Sequence, residues 1–113
     1  MIQIKRAYQE AASSDGYRVL VDRLWPRGVS KDDAKLDVWL KEVGPSTELR
    51  QWFGHKPERF KDFAQRYKAE LKTNPAFEEL DKLCQQHKTV TLVYSAKDEA
   101  HNQAVVLQSI LKA

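Results

Sequence analysis

Two apolar runs, at residues 17–23 and 89–95, constrain the fold of this chain more than any other feature. The first, YRVLVDR, contains a continuous apolar stretch, and the second, TVTLVYS, is rich in β-branched residues. Such runs are typical of strands that are covered on both faces. A long stretch with helical spacing separates them, and such a crossover favours a parallel pair if the strands are neighbours. We therefore predict an α/β fold, a small single-domain layered structure over residues 1–113. Its central sheet is expected to be mostly parallel, with about three to five strands flanked by helices.

Turn and capping residues divide the rest of the chain into elements. An alternating apolar pattern predicts another strand over residues 2–8. Ser30 has the pattern of a short helix start, and Ser46 or Thr47 can cap a second helix. Further helical stripes follow, separated by glycine and proline. Residues 36–43 fit a helix and a strand about equally, so both alternatives stay open there.

The composition describes an ordinary, mildly basic chain. Its 113 residues include 19 Lys and Arg against 16 Asp and Glu, for a formal charge of +3. That balance is compatible with a phosphate-bearing partner but does not require one. No apolar run approaches the roughly 20 residues that span a bilayer, and the charged N-terminal stretch lacks an apolar signal block. We expect a cytoplasmic protein without a membrane partner.

Metal and thiol chemistry have little support in the sequence. The single cysteine, Cys84, excludes an intramolecular disulfide and any multi-cysteine metal site. The three histidines are too far apart in the sequence to form a helical pair of metal ligands. We predict neither a metal nor a cofactor.

The segment VDRLWPRGVSK, which follows the first apolar run, places several cations on one short loop. Arg23, Arg27 and Lys31 are candidate ligand-binding residues, because cationic side chains bind phosphate or carboxylate and guanidinium does so in a two-pronged geometry. Trp25 either stacks on a ligand or packs inward beneath the loop. For Arg23 the alternative is a structural ion pair with a carboxylate.

The segment YSAKDEAHN, at the end of the second run, is the other candidate loop. Asp98 is predicted to cap the last helix, which would place His101 in its first turn. There the helix dipole would keep the imidazole neutral and able to act as a general base. The candidate catalytic residues are therefore His101, Ser95 and Asp98, with Lys97 and Asn102 as ligand contacts. The alternatives are capping alone for Asp98 and a plain surface histidine.

Both loops follow the carboxyl ends of predicted strands. In open parallel sheets, ligands bind at that edge. If the two strands are parallel neighbours, the loops meet and form one site, and this prediction fails if the strands are antiparallel.

Basic residues further along the chain extend this expectation. Arg50 and His55 are additional candidate ligand contacts, next to a helix that carries several lysines and arginines. Such a helix could form a nucleic-acid face. Acidic residues interleave with the basic ones, however, which favours an ordinary solvated helix.

Four motifs, VDRLWPRGVSK, PSTELRQWFGH, RFKDFAQRYKAEL and TLVYSAKDEAHNQAVVL, together resemble the short, YeaO-like branch of the domain of unknown function 488 family. The resemblance spans nearly the whole chain and implies a small α/β protein with a central sheet, without an assigned reaction. Longer members carry a cysteine at the end of the last strand and a Cys-His-Arg triplet in the next helix. This chain has Ser95 and the triplet 100–102 (AHN) at those places, so the resemblance does not extend to a thiol mechanism.

The sequence leaves three classes of function open. The favoured hypothesis is a binding site for an anionic, phosphate-containing, nucleotide-like ligand at the carboxyl ends of the strands, with enzymatic activity undecided. The alternatives are a non-catalytic nucleic-acid-binding protein and a protein-interaction domain. The substrate, the reaction and the oligomeric state do not follow from the sequence.

Overall fold

A computed structural model describes residues 1–112 as strands and helices that alternate along much of the chain. The strands are β1 (Ile2–Arg6), β2 (Tyr17–Leu20), β3 (Val38–Trp39) and β4 (Val90–Tyr94). The α-helices are α1 (Lys31–Ala34), α2 (Thr47–Phe53), α3 (Phe60–Leu71), α4 (Pro75–Gln86) and α5 (Gln103–Lys112). Single 3₁₀ turns lie at Ser13–Asp15, Lys41–Val43 and Pro57–Arg59. Within the described residues, no helix is long and apolar enough to cross a membrane.

The sheet has the order β1-β4-β2-β3, and every neighbouring pair in it is parallel. Strands β2 and β4, which contain the two apolar runs, are hydrogen-bonded neighbours with Val19 opposite Leu92. The predicted α/β class and the predicted parallel pair are both confirmed. Because the strands are parallel, the loops that follow β2 and β4 leave the sheet at the same edge.

The larger hydrophobic core lies on one face of the sheet, against helices α2 to α5. It includes Val19 from β2, Leu92 from β4, and Phe63, Leu80 and Leu107 from the helices, all of them almost fully buried. The opposite face has a smaller cluster made of Ala7, Leu20 and Val93, covered by Trp25 and Leu36 of the β2–β3 connection. The helices are therefore concentrated on one face, and a loop covers part of the other.

Local signals predicted the starts of α1 and α2 well. Ser30 Oγ accepts a hydrogen bond of 3.0 Å from the Asp33 amide, and Ser46 Oγ accepts one of 3.1 Å from the Leu49 amide. Strands were predicted too long, since β1 ends at Arg6 and β2 at Leu20. Residues 36–43, for which helix and strand were both open, contain the two-residue strand β3 followed by a 3₁₀ turn. The strand is short because it pairs with β2 only at Val38 and Trp39.

A buried ion pair ties the segment before β2 to the sheet. Asp15 is only 3% exposed and Arg18 only 4%. The Asp15 carboxylate accepts hydrogen bonds from Arg18 Nη1 at 2.6 Å and from Lys5 Nζ at 3.0 Å. The rest of the Arg18 guanidinium donates to the Ala34 carbonyl. Each side-chain oxygen of Asp15 and each side-chain nitrogen of Arg18 has a hydrogen-bond partner. Buried charges are tolerated when they are paired in this way.

Candidate functional site

A cavity of about 310 Å³ lies at the carboxyl-terminal edge of the sheet. It is bordered by the loop after β2, the end of α2, the end of β4 and the start of α5. Its polar lining side chains are those of Tyr8, Asp22, Arg23, Arg27, Arg50, His55, Ser95, Asn102 and Gln103. Trp25, Phe53 and Phe63 contribute aromatic surface. A concave site of this kind, with a few polar groups set among apolar ones, has the character of a small-ligand pocket.

The two loops that the sequence places at one edge do meet in this cavity. The predicted site residues that line it are Arg23, Trp25, Arg27, Arg50, His55, Ser95 and Asn102. The others, Lys31, Lys97, Asp98 and His101, lie outside its lining. The cavity therefore combines residues from segments that are far apart in the sequence, as expected of a parallel sheet.

Two of the lining residues mainly support the loops. Arg23 Nε donates to the Pro45 carbonyl at 2.6 Å, and its Nη2 donates to the Gly44 carbonyl at 3.2 Å. Trp25 Nε1 donates to the Val29 carbonyl at 2.7 Å, and the indole meets Trp39 edge-on at 5.5 Å. These contacts hold the loop after β2 in shape, and they occupy the groups that a ligand would otherwise use.

Two other arginines of the lining are not engaged in this way. Arg27 and Arg50 take part in none of the ion pairs among residues 1–112. Arg27 is exposed, and Arg50 is half-buried on α2. His55 beside them is exposed and has a φ of 56°, in the left-handed region that non-glycine residues seldom occupy. Backbone strain of this type is concentrated at functional sites.

Asp22 is a charged lining residue that sequence reasoning did not single out. Ser95 donates to its Oδ2 twice, from the amide at 2.8 Å and from Oγ at 2.7 Å, and Gln103 Nε2 donates to its Oδ1. Burial raises the pKa of the Asp22 carboxyl above its ordinary value, and the bonds from Ser95 and the charges of Arg50 and His55 only partly offset this. The available signal was an acidic residue directly after the apolar run of β2.

Asparagine at position 22 is expected to leave the free energy of unfolding at neutral pH equal to or above that of the wild type. A raised folded-state pKa means that ionised Asp22 opposes folding above that pKa, and the penalty disappears as the pH falls below the unfolded-state pKa. Asparagine can still accept from Ser95, and Gln103 can turn its amide to meet the new donor. In urea unfolding, the free energy of unfolding of Asp22→Asn should therefore exceed that of the wild type at about pH 7. This difference should shrink towards about pH 4.

A variant that is clearly less stable than the wild type at neutral pH would instead make Asp22 a structural residue. The expected result would favour a functional role, because a partly buried carboxylate that is held in place without a gain in stability is characteristic of ligand and active sites.

The prediction for Asp98 and His101 was wrong in its geometry. Helix α5 begins at Gln103, so His101 precedes the helix rather than lying in its first turn. Asp98 Oδ1 accepts from the amides of Ala100 and His101 in a preceding turn, while Asn102 Oδ1 accepts from the Val105 amide as a helix cap does. The dipole argument for a neutral His101 therefore does not apply.

The His101 ring has its own partners. Its Nδ1 lies 2.8 Å from Asp98 Oδ2, and its ring meets Phe60 edge-on at 5.2 Å. Hydrogen bonds from the Ala100 amide and from His101 lower the pKa of Asp98 below its ordinary value. Asp98 and His101 thus form a local pair beside α3, outside the cavity lining.

The basic residues near α3 are partly engaged with an aromatic ring. The guanidinium carbons of Arg59 and Arg66 lie 5.2 Å and 4.2 Å from the centre of the Trp52 ring. Arg59 Nη1 also donates to the Trp52 carbonyl. Such stacking stabilises the α2–α3 junction, and it gives these arginines a role that needs no nucleic acid.

Residues 1–112 contain neither a cluster of metal ligands nor a reactive thiol. No three His, Cys, Asp or Glu side chains in this range come together as ligands of one metal ion would. Burial raises the pKa of the Cys84 thiol to about 11, so the reactive thiolate is scarce at neutral pH.

Fold and cavity together define a small parallel α/β protein with a pocket at the carboxyl edge of its sheet. The chain belongs to the family described as the inactive DUF488-N3 subclade, whose model matches residues 1–113. It is 46% identical to the uncharacterized protein YeaO of Escherichia coli over 114 residues, which is 99% of this chain and 97% of YeaO. It is 44% identical to the uncharacterized protein Rv3073c of Mycobacterium tuberculosis over 110 residues, or 97% of this chain and 92% of that protein. No solved structure was found to match the chain. The predicted membership of the domain of unknown function 488 family, in its YeaO-like branch, is confirmed.

Proposed function

We propose that this protein binds a small anionic, phosphate-containing ligand in the cavity at the carboxyl edge of the sheet. The observation that carries the proposal is the difference among the arginines. Arg18 and Arg23 bond to carbonyls and carboxylates of the protein, whereas Arg27 and Arg50 line the cavity without an ion pair among residues 1–112. Guanidinium groups left free at a concave site suit an anion.

A small ligand fits better than nucleic acid. Arg27 and Arg50 both line a cavity, while nucleic-acid surfaces are usually extended basic patches. On α3 the basic residues alternate with Asp62 and Glu70, and Glu70 accepts hydrogen bonds from Ser46 rather than from a neighbouring cation. These contacts favour a solvated helix that braces α2.

We propose that the protein binds this ligand without catalysing a reaction. The chain belongs to a subclade described as inactive. His101, the predicted general base, lies outside the cavity lining, and its Nδ1 is paired with Asp98. In this proposal Arg27 and Arg50 hold the ligand without catalysing a reaction.

Arg50→Ala is expected to weaken the binding of inorganic phosphate by about tenfold or more, since a charge-assisted hydrogen bond contributes about 1.5–3 kcal/mol. Isothermal titration calorimetry of phosphate into wild type and variant measures the change. Arg66→Ala is the matched control, because Arg66 stacks on Trp52 and neither residue lines the cavity. Its affinity for phosphate should equal that of the wild type.

Two results would contradict the proposal. One is wild-type protein that binds neither phosphate nor pyrophosphate. The other is a loss of affinity in Arg66→Ala that matches the loss in Arg50→Ala, which would place the anion on the basic face of α3.

A further inference from the structure

Asp22 gives the cavity an acceptor that a fully ionised anion cannot use, because such an anion has no donor. The side chain is half-buried, whereas Arg27 and His55 near the cavity mouth are exposed. Three donors reach its carboxylate, two from Ser95 and one from Gln103. A carboxylate offers about four lone-pair positions, so one position is left for a donor on a ligand.

The charges around Asp22 decide what kind of donor fits. Arg50 and His55 are close enough to act on its carboxyl through their charges, and Arg27 lines the same cavity. An ammonium group placed there would face like charges. A neutral hydroxyl donates to a carboxylate without that repulsion, so the hydroxyl is the better partner for Asp22.

The size of the cavity sets a further limit. Its volume of about 310 Å³ is at the low end of the roughly 300–1,000 Å³ that ligand sites occupy. The aromatic side chains of the lining are also engaged, since Trp25 is bonded to Val29 and packed on Trp39, and Phe53 is stacked on Phe63 at 4.3 Å. This favours a compact ligand over one with a large planar base.

We propose that the ligand is a polyol phosphate of about the size of a pentose phosphate, with a hydroxyl on Asp22 and the phosphate on Arg27 and Arg50. This inference rests on the proposed function, and it adds the hydroxyl half of the ligand to the anionic half. Asp22 is then the residue that distinguishes a polyol phosphate from a phosphate ester without free hydroxyl groups.

The test is calorimetric titration of ribose 5-phosphate, methyl phosphate and adenosine monophosphate into the full chain and two variants. Methyl phosphate has the same phosphate ester group but no free hydroxyl group, so wild type should bind ribose 5-phosphate about tenfold or more tightly than methyl phosphate. Asp22→Asn should lose about tenfold for ribose 5-phosphate and retain or improve its affinity for methyl phosphate, which also shows that the variant is folded. Asp98→Asn, altered outside the cavity lining, should bind all three as the wild type does.

The remaining outcomes separate this inference from the proposed function. Equal binding of methyl phosphate and ribose 5-phosphate, unchanged in Asp22→Asn, overturns the hydroxyl contact and leaves the anion site intact. Adenosine monophosphate that binds more than about tenfold tighter than ribose 5-phosphate overturns the pentose-sized ligand. Absence of binding by every phosphate compound overturns the inference together with the proposed function.

Discussion

Replacing Asp15 by asparagine is expected to lower the free energy of unfolding by about 3–5 kcal/mol, the usual effect of removing one partner of a buried ion pair. The substitution preserves the volume of the side chain but removes its charge. Arg18, only 4% exposed, would then keep its bonds to the Ala34 carbonyl and lose its counter-ion. The second cation on Asp15, Lys5 at 3.0 Å, would lose its partner as well. Urea unfolding followed by circular dichroism measures the change.

A second acid-to-amide change is the matched control. Glu42 lies 3.4 Å from Arg23, and its side chain is 66% exposed. Exposed pairs contribute about 0–1 kcal/mol, so Glu42→Gln should unfold almost as the wild type does. Equal effects of Asp15→Asn and Glu42→Gln would show that burial of the Asp15 pair does not matter to stability.

The pH dependence of the Asp15 variant follows from the same contacts. Burial alone would raise the pKa of Asp15, but hydrogen bonds from the Ala12 amide, Lys5 and Arg18 outweigh it and lower the pKa below its ordinary 3.8. Ionised Asp15 therefore stabilises the fold above its unfolded-state pKa, and that stability is lost as the pH falls through the lower folded-state pKa. The difference between wild type and Asp15→Asn should accordingly narrow in strong acid.

Alanine at Gly16 is expected to destabilise the fold by about 2–5 kcal/mol, from strain and overpacking together. Gly16 has a φ of +65°, and a Cβ there would lie 2.4 Å from the Thr89 carbonyl oxygen. The Tyr17 amide donates to that same oxygen at 2.9 Å. The Thr89 carbonyl is part of the backbone, so it cannot move aside as a flexible side chain could. It also lies where β2 begins to pair with β4.

Gly28 offers a control with a positive φ and no obstruction. Its φ is +81°, and an added Cβ would meet nothing within 4 Å. Gly28→Ala should therefore lower the free energy of unfolding only through the positive φ, by about 1–2 kcal/mol. Thermal unfolding of the two variants separates these contributions, and equal losses of stability would mean that the contact with Thr89 is relieved by a small shift.

The sequence predicted the frame of the fold because its strongest patterns are local or nearly so. The apolar runs around Val19 and Leu92 identify strands, and the separation between them favours a parallel pair. Ser30 and Ser46 cap helices through contacts that span three residues. Strand ends were missed because pairing, rather than apolar character, decides where a strand stops. The run of β2 continues to Val21, yet the strand ends at Leu20.

The site was predicted less completely, because its geometry depends on contacts between distant residues. Asp22 bonds to Ser95, which is 73 positions away, and no local pattern indicates this. Arg23 resembles Arg27 in the sequence, but only Arg23 meets the carbonyls before α2. The start of α5 was placed too early because Asp98 has the chemistry of a cap, while Asn102 occupies the capping position.

A crystal structure of the protein with inorganic phosphate tests most directly whether the cavity at the carboxyl edge binds an anion. We expect phosphate in the cavity with an oxygen about 2.7–3.2 Å from the guanidinium nitrogens of Arg50 and Arg27. Phosphate that is ordered on α3, beside Lys61 or Lys68, while the cavity contains none would contradict this expectation.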